Sequence, residues 1–107
     1  MEADIRILQF GLKQRDILKI NNVFAGYPHI SKAIVYGSRA KGNYKNGSDI
    51  DLVLVGDLLN SAELNKIHNA LDDLLLPYTF DLAIYSKIDN PDLLEHIKRV
   101  GMVFYQS

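Results

Sequence analysis

The chain contains no cysteine. That absence removes disulfides, thiolate nucleophiles and cysteine-based zinc sites, so any metal must be held by oxygen or imidazole. Long apolar runs are also missing. None approaches the roughly 20 residues of a membrane helix, so no membrane span is expected. Charge of one sign is not in excess: 12 Lys and Arg against 13 Asp and Glu leave a formal net charge of -1. This balance argues against binding of extended nucleic acid, and it leaves room for a local basic patch that handles one phosphate-bearing ligand. There is no repeat, low-complexity tract or linker, and with 107 residues the chain is expected to form one domain, 1–107. Residues 1–12 read as an irregular N-terminal extension. The start, MEADIRILQF, carries acidic residues where a signal peptide would carry positive ones, so a cytoplasmic location is expected.

What is present reads as alternating elements. Residues 13–25 place Ile17, Leu18, Ile20 and Phe24 near helical spacing, and Gly26 and Pro28 stop the pattern. Lys32 to Gly37 and Asp49 to Val55 are short β-branched or apolar runs, the pattern of two strands. Between them, Ser38 opens a stretch able to form one helical turn, and Asn46-Gly47 marks a reversal. Ser61, read as the cap, begins an amphipathic helix carrying Leu64, Ile67, Leu71, Leu74 and Leu75, which Pro77 ends. A third strand is predicted over 79–85, a last helix from Pro91 to Gly101, and a short final strand in MVFYQ.

The fold class that follows is α/β (α+β): a small mixed sheet of three to four strands with helices packed on it, in the order α-β-turn-β-α-β-α. The strands at 49–55 and 79–85 are joined by a helix. Such a crossover makes them parallel, so both start at the same end of the sheet.

That inference brings three aspartates together. Asp49 and Asp51 are two apart, so their side chains leave one face of the strand about 6.6 Å apart along it. Asp81 sits near the start of the next strand. An isolated aspartate at a strand start usually serves a turn. Asp51, next to Leu52 and Val53, has no turn to serve and bears a desolvation cost; Asp81, between Phe80 and Leu82, has the same problem. Like charges a few strand spacings of roughly 4.8 Å apart repel, and hard oxygen donors favour Mg2+ or Mn2+ among them.

Gly37-Ser38 supplies a second element. Glycine at a strand end lets backbone approach a ligand, and a following helical turn offers free N–H groups to phosphate. Ser38 can add its hydroxyl, and Arg39 and Lys41 add positive charge. His29, His68 and His96 have no metal-ligand spacing to one another and read as bland. Asp72, Asp73 and Asp89 compete with Asp81 for the third carboxylate, but they suit a helix surface or a turn.

Gly37-Ser38, then ten residues, then Asp49-Ile50-Asp51, with Asp81 on a later strand, resembles the nucleotidyltransferase superfamily that includes DNA polymerase β. The short chain and GSRAKG are similar to its minimal members, the MNT proteins paired with HEPN-domain proteins as antitoxin and toxin. The resemblance covers roughly residues 13–104. It implies the nucleotidyltransferase fold, with Gly37 and Ser38, helped by Arg39 and Lys41, holding a nucleoside triphosphate such as ATP. It implies that Asp49, Asp51 and Asp81 are catalytic and hold two Mg2+ ions, or Mn2+, with Asp81 beside the acceptor hydroxyl. It also implies transfer of a nucleoside monophosphate, AMP from ATP, to a HEPN-type partner. The small size leads us to expect that this helical partner, or a second copy of the chain, completes the acceptor site. Two alternatives stay open: a module that neutralises its partner by contact alone, and an enzyme acting on a small hydroxylated molecule.

Overall fold

The computed structural model of the chain describes residues 8–45 and 47–107. Along the chain the elements are β1 (Leu8–Gln9), β2 (Leu12–Lys13), α1 (Gln14–Ala25), β3 (Lys32–Tyr36), α2 (Gly37–Lys41), β4 (Ile50–Val55), α3 (Ser61–Asp72), β5 (Phe80–Ile84), a 3-10 turn (Tyr85–Lys87), α4 (Pro91–Val100) and β6 (Met102–Gln106). No helix among the described residues is long and apolar enough to cross a membrane.

β3 to β6 form one four-stranded mixed sheet in the order β5-β4-β3-β6. The connections explain the directions. β3 and β4 are joined by a single helical turn and a reversal, and they pair antiparallel. β4 and β5 are joined by α3 as a crossover, and they pair parallel. β6 returns from α4 to pair antiparallel with β3 at the other edge.

Strand alternation sorts the side chains between two layers. Ile50, Leu52 and Leu54 of β4 are fully buried with Ala33 and Val35, and together with the buried Phe80 they pack against Ile17, Ile20 and Phe24 of α1 and Ile67 and Leu71 of α3. The opposite face carries Asp51, Val53 and Tyr36. There α4 lays Ile97 on Val53 and Tyr36 in a second, smaller apolar cluster, with Leu93 packed at its edge. A shift in register between Ala33 and Ile34 marks a bulge in the β3–β6 pairing. Phe104 and Tyr105 both pack on the larger core, their rings 5.7 Å from Phe10 and 5.6 Å from Phe24.

Three expectations need correction. The N-terminal extension is not irregular over its described part: Leu8 to Lys13 form a hairpin with Leu12 fully buried. Its two turn residues, Phe10 and Gly11, have φ of 59° and 74°, the left-handed pair that a two-residue hairpin needs. Phenylalanine is an unusual residue for the first of these positions, so the turn had no local signature. Residues 1–7 of that extension lie outside the described residues, as does Asn46 of the expected reversal, although Ser48 N–H donates to the Lys45 carbonyl at 3.0 Å. Second, the cap of α3 is Asn60, whose side chain accepts from Glu63 N–H at 2.8 Å; Ser61 is already helical. Third, α3 stops at Asp72, and Leu75 is not on its buried face: it has φ of 56° and is 88% exposed. Pro77 drives Leu76 toward extended backbone, and the chain has to leave the helix before it. Leu18 is likewise exposed on the outer side of α1.

Candidate active site

The site is built at the end of the sheet where β4 and β5 start. Asp51 is the partner of Asp81 across the parallel ladder and of Tyr36 across the antiparallel one. The three side chains therefore stand in a row on the α4 face of the sheet. Asp49 lies one residue before β4, in non-strand chain, two positions from Asp51. Asp72, Asp73 and Asp89 are exposed and lie on or beside α3 and before α4, away from this ladder position.

The electrostatics follow from that row. Burial raises the Asp51 carboxyl above its ordinary range, and the charges of Asp81 and then Asp49 push the same way. His96 and Arg39 pull it back only in part. The Tyr36 phenol is pushed up to about 12, first by burial and then by Asp81 and Asp51, so it stays neutral in ordinary buffers. The donors are all oxygen, which suits Mg2+ or Mn2+. Among the described residues no three carboxylate or imidazole side chains are closed around one point where an ion would sit. The residues fit a divalent ion by donor chemistry, by strand register and by the repulsion that a cation would relieve. Their side chains stand open.

Gly37 begins α2 directly after β3, with φ of 72°. A Cβ built on it would collide with the Asp51 carboxylate, which rests against the bare glycine. The glycine is thus required twice, by backbone conformation and by the close approach of a site carboxylate. We expect Gly37→Ala to cost about 1–3 kcal/mol in denaturant unfolding from the left-handed backbone alone, and to reduce activity further by displacing Asp51. Ser38 follows in the first turn of α2 and is partly exposed. Lys41 ends α2 with its side chain in solvent.

Arg39 does not fit a phosphate contact. It is 3% exposed, and its guanidinium donates to the Ser48 carbonyl at 2.9 and 3.2 Å and to the Phe10 carbonyl at 2.8 Å. The Tyr44 and Tyr78 rings lie 5.2 and 5.3 Å from it. Tyr78 in turn donates its hydroxyl to the buried Asp16 of α1 at 3.2 Å. A side chain committed in this way anchors the loop before β4 to the hairpin tip. Solvated basic residues and buried clamps look alike in sequence, because the carbonyls that Arg39 satisfies are 9 and 29 residues away.

Two neighbours of the site escaped sequence reasoning. His96 of α4 stacks edge-on against Tyr36, ring centroids 6.2 Å apart, and its charge acts on Asp51. Its helical position gave no spacing signal, since its neighbour is a strand residue far back in the chain. Thr79 donates its hydroxyl to Asp49. The other histidines stay away: His29 meets Glu63 at 3.0 Å, and His68 lies 3.3 Å from the Phe80 carbonyl.

Residues 18–107 match the family described as polymerase beta, nucleotidyltransferase. A protein of Methanocaldococcus jannaschii named as a protein adenylyltransferase is 30% identical over 78 residues, which are 73% of this chain and 70% of that protein. Among solved structures, a toxin–antitoxin complex with AMP-PNP superposes with a TM-score of 0.69 at 20% identity, over 90% of this chain and 75% of that one. A complex of tri-AMPylated Shewanella oneidensis HEPN toxin with MNT antitoxin superposes with a TM-score of 0.65 at 18% identity, over 88% and 72% of the two chains. At these identities the structural likenesses establish a shared fold. Together with the family match over most of its length, they mean that this chain belongs to the polymerase β family of nucleotidyltransferases.

Proposed function

We propose that the chain transfers AMP from ATP to a hydroxyl group on a HEPN-type partner protein, releasing pyrophosphate, and that this modification silences the partner as a toxin. The observation that carries this reading is the pairing of Asp51 with Asp81 at the sheet end, with the Gly37 turn pressed against the Asp51 carboxylate. Support for the adenylate comes from the name of the Methanocaldococcus jannaschii relative and from the AMP-PNP in the toxin–antitoxin structure. Support for the partner comes from the AMPylated HEPN toxin held by its MNT antitoxin.

In this reading Gly37 and the backbone of the following turn receive the triphosphate, and the Ser38 hydroxyl donates to it. Lys41, in solvent at the end of α2, adds positive charge on the approach. Asp49, Asp51 and Asp81 would hold two Mg2+ ions, or Mn2+. When bound, these ions neutralise phosphate charge and lower the pKa of the acceptor hydroxyl. Asp81, exposed near the start of β5, is open to an acceptor hydroxyl and takes its proton in this reading. The acceptor oxygen forms its bond to the α-phosphorus as the bond to the leaving pyrophosphate breaks, in line. The chain's part is orientation and a fixed arrangement of charge. A partner that supplies the acceptor fits a cytoplasmic pair of proteins; a second copy of this chain is the other way to complete the site.

The test is to incubate the purified chain with ATP, Mg2+ and the product of the neighbouring reading frame, and to weigh both proteins intact. The expected result is a gain of one or more adenylates on the partner, absent with Asp49→Asn. A stable complex with no gain for any nucleoside triphosphate would instead support a module acting by contact alone. Transfer to small hydroxylated compounds only would support the small-molecule alternative.

A further inference from the structure

Of the three carboxylates, two are fixed by the sheet itself. Asp51 and Asp81 sit inside paired strands, and Asp51 also rests on Gly37. Asp49 has no such frame, because it precedes the first residue of β4. Something else must hold its side chain if it is to act with the others.

We propose that Thr79 is the positioning residue for Asp49, orienting its carboxylate toward a divalent ion shared with Asp51. This inference rests on the functional reading above. Ile50 N–H donates to the Thr79 carbonyl at 2.9 Å, which extends the parallel ladder by one step and brings Thr79 level with Asp49. The Thr79 hydroxyl then donates to Asp49 Oδ1 and leaves Oδ2 for other partners. On the other side, Arg39 grips the carbonyl of Ser48, the residue before Asp49, through two N–H groups at 2.9 and 3.2 Å. Asp49 is therefore held at its side chain by the residue that precedes β5 and at its backbone by α2. Thr79 is exposed, so water could satisfy its hydroxyl, and burial does not require this bond. What the bond changes is the freedom of the Asp49 carboxylate. A donor on one oxygen of a ligating carboxylate is a common means of fixing its orientation toward a metal.

The test compares wild type, Thr79→Val, Thr79→Ser and Asp49→Asn as full chains. Mn2+ binding is followed by electron paramagnetic resonance in the presence of a non-hydrolysable ATP analogue, with adenylate transfer measured beside it across Mn2+ concentration. Valine keeps the shape and the β-branching of threonine, so the unfolding midpoint should not move. Thr79→Val should weaken Mn2+ binding about tenfold and raise the Mn2+ needed for half-maximal transfer by a similar factor, with the KM for ATP little changed. Thr79→Ser should restore both. Wild-type Mn2+ affinity in Thr79→Val, alongside lost affinity in Asp49→Asn, overturns the inference and leaves the site reading standing. Equal Mn2+ binding by wild type and Asp49→Asn overturns both.

Discussion

Asp51→Asn is expected to lower the rate of nucleotide transfer on the order of 10³-fold or more while leaving the fold intact. The amide has the same shape, so its contact with Gly37 and its place opposite Asp81 are kept. What it loses is the charge that offsets a cation and, through it, the triphosphate. The fold has no need of that charge. Asp51 is partly buried and repelled by Asp81 and Asp49, so neutralising it relieves repulsion in the unoccupied protein. The expected melting temperature is therefore equal to or above that of the wild type in metal-free buffer. Radiolabelled ATP measures the first quantity and a thermal melt the second. Retained transfer in this variant would contradict the assignment of the site, and a collapse in stability would reassign Asp51 to a structural role.

Arg39→Met should have the opposite profile, with a large effect on stability. Methionine fills most of the volume between Tyr44 and Tyr78 but leaves the carbonyls of Ser48 and Phe10 without their donor. Hydrogen bonds from a charged donor contribute roughly 1.5–3 kcal/mol each, so a net loss of about 2–4 kcal/mol is expected after solvent reaches part of the gap. With a urea slope of about 2 kcal/mol/M, the middle of the usual range, the unfolding midpoint should fall by roughly 1–2 M. Activity should also fall, because the loop that Arg39 holds ends at Asp49. Arg39→Lys should rescue little: one ammonium cannot reproduce a planar fork that reaches two carbonyls and lies near two rings. A midpoint unchanged in Arg39→Met would mean that the guanidinium is not the anchor described here, and would reopen a phosphate-binding role for it.

These two outcomes also show where sequence reasoning reached and where it stopped. The parallel placement of Asp51 and Asp81 could be inferred because it follows from one rule of topology, a helical crossover between two recognisable strands. The strands were recognisable as short β-branched or apolar runs, and in the folded chain Ile50, Leu52 and Leu54 bury one face of β4. Gly37 stood out through its place at a strand end, although its contact with Asp51 belongs to the folded chain alone. Arg39 was misread because a buried arginine and a solvated one have the same letter, and the difference lies in partners remote along the chain. Thr79 and His96 were passed over for a related reason. Each meets the site across the sheet or from the helix above it, with no periodicity linking it to Asp49 or Tyr36. The hairpin at Phe10-Gly11 was hidden by a side chain that turn statistics do not favour. Local patterns therefore predicted the sheet and its acidic end, and the contacts that set the site in place were tertiary.

The central claim is that the three carboxylates and the Gly37-Ser38 turn form one nucleotide and metal site. A crystal structure of the chain with Mg2+ and a non-hydrolysable ATP analogue tests it most directly. The predicted result has oxygens of Asp49, Asp51 and Asp81 at about 2.0–2.1 Å from bound Mg2+, the usual distance for this ion, and the Ser38 hydroxyl on the triphosphate. A triphosphate bound elsewhere, or Mg2+ held without Asp49 and Asp51, would contradict it.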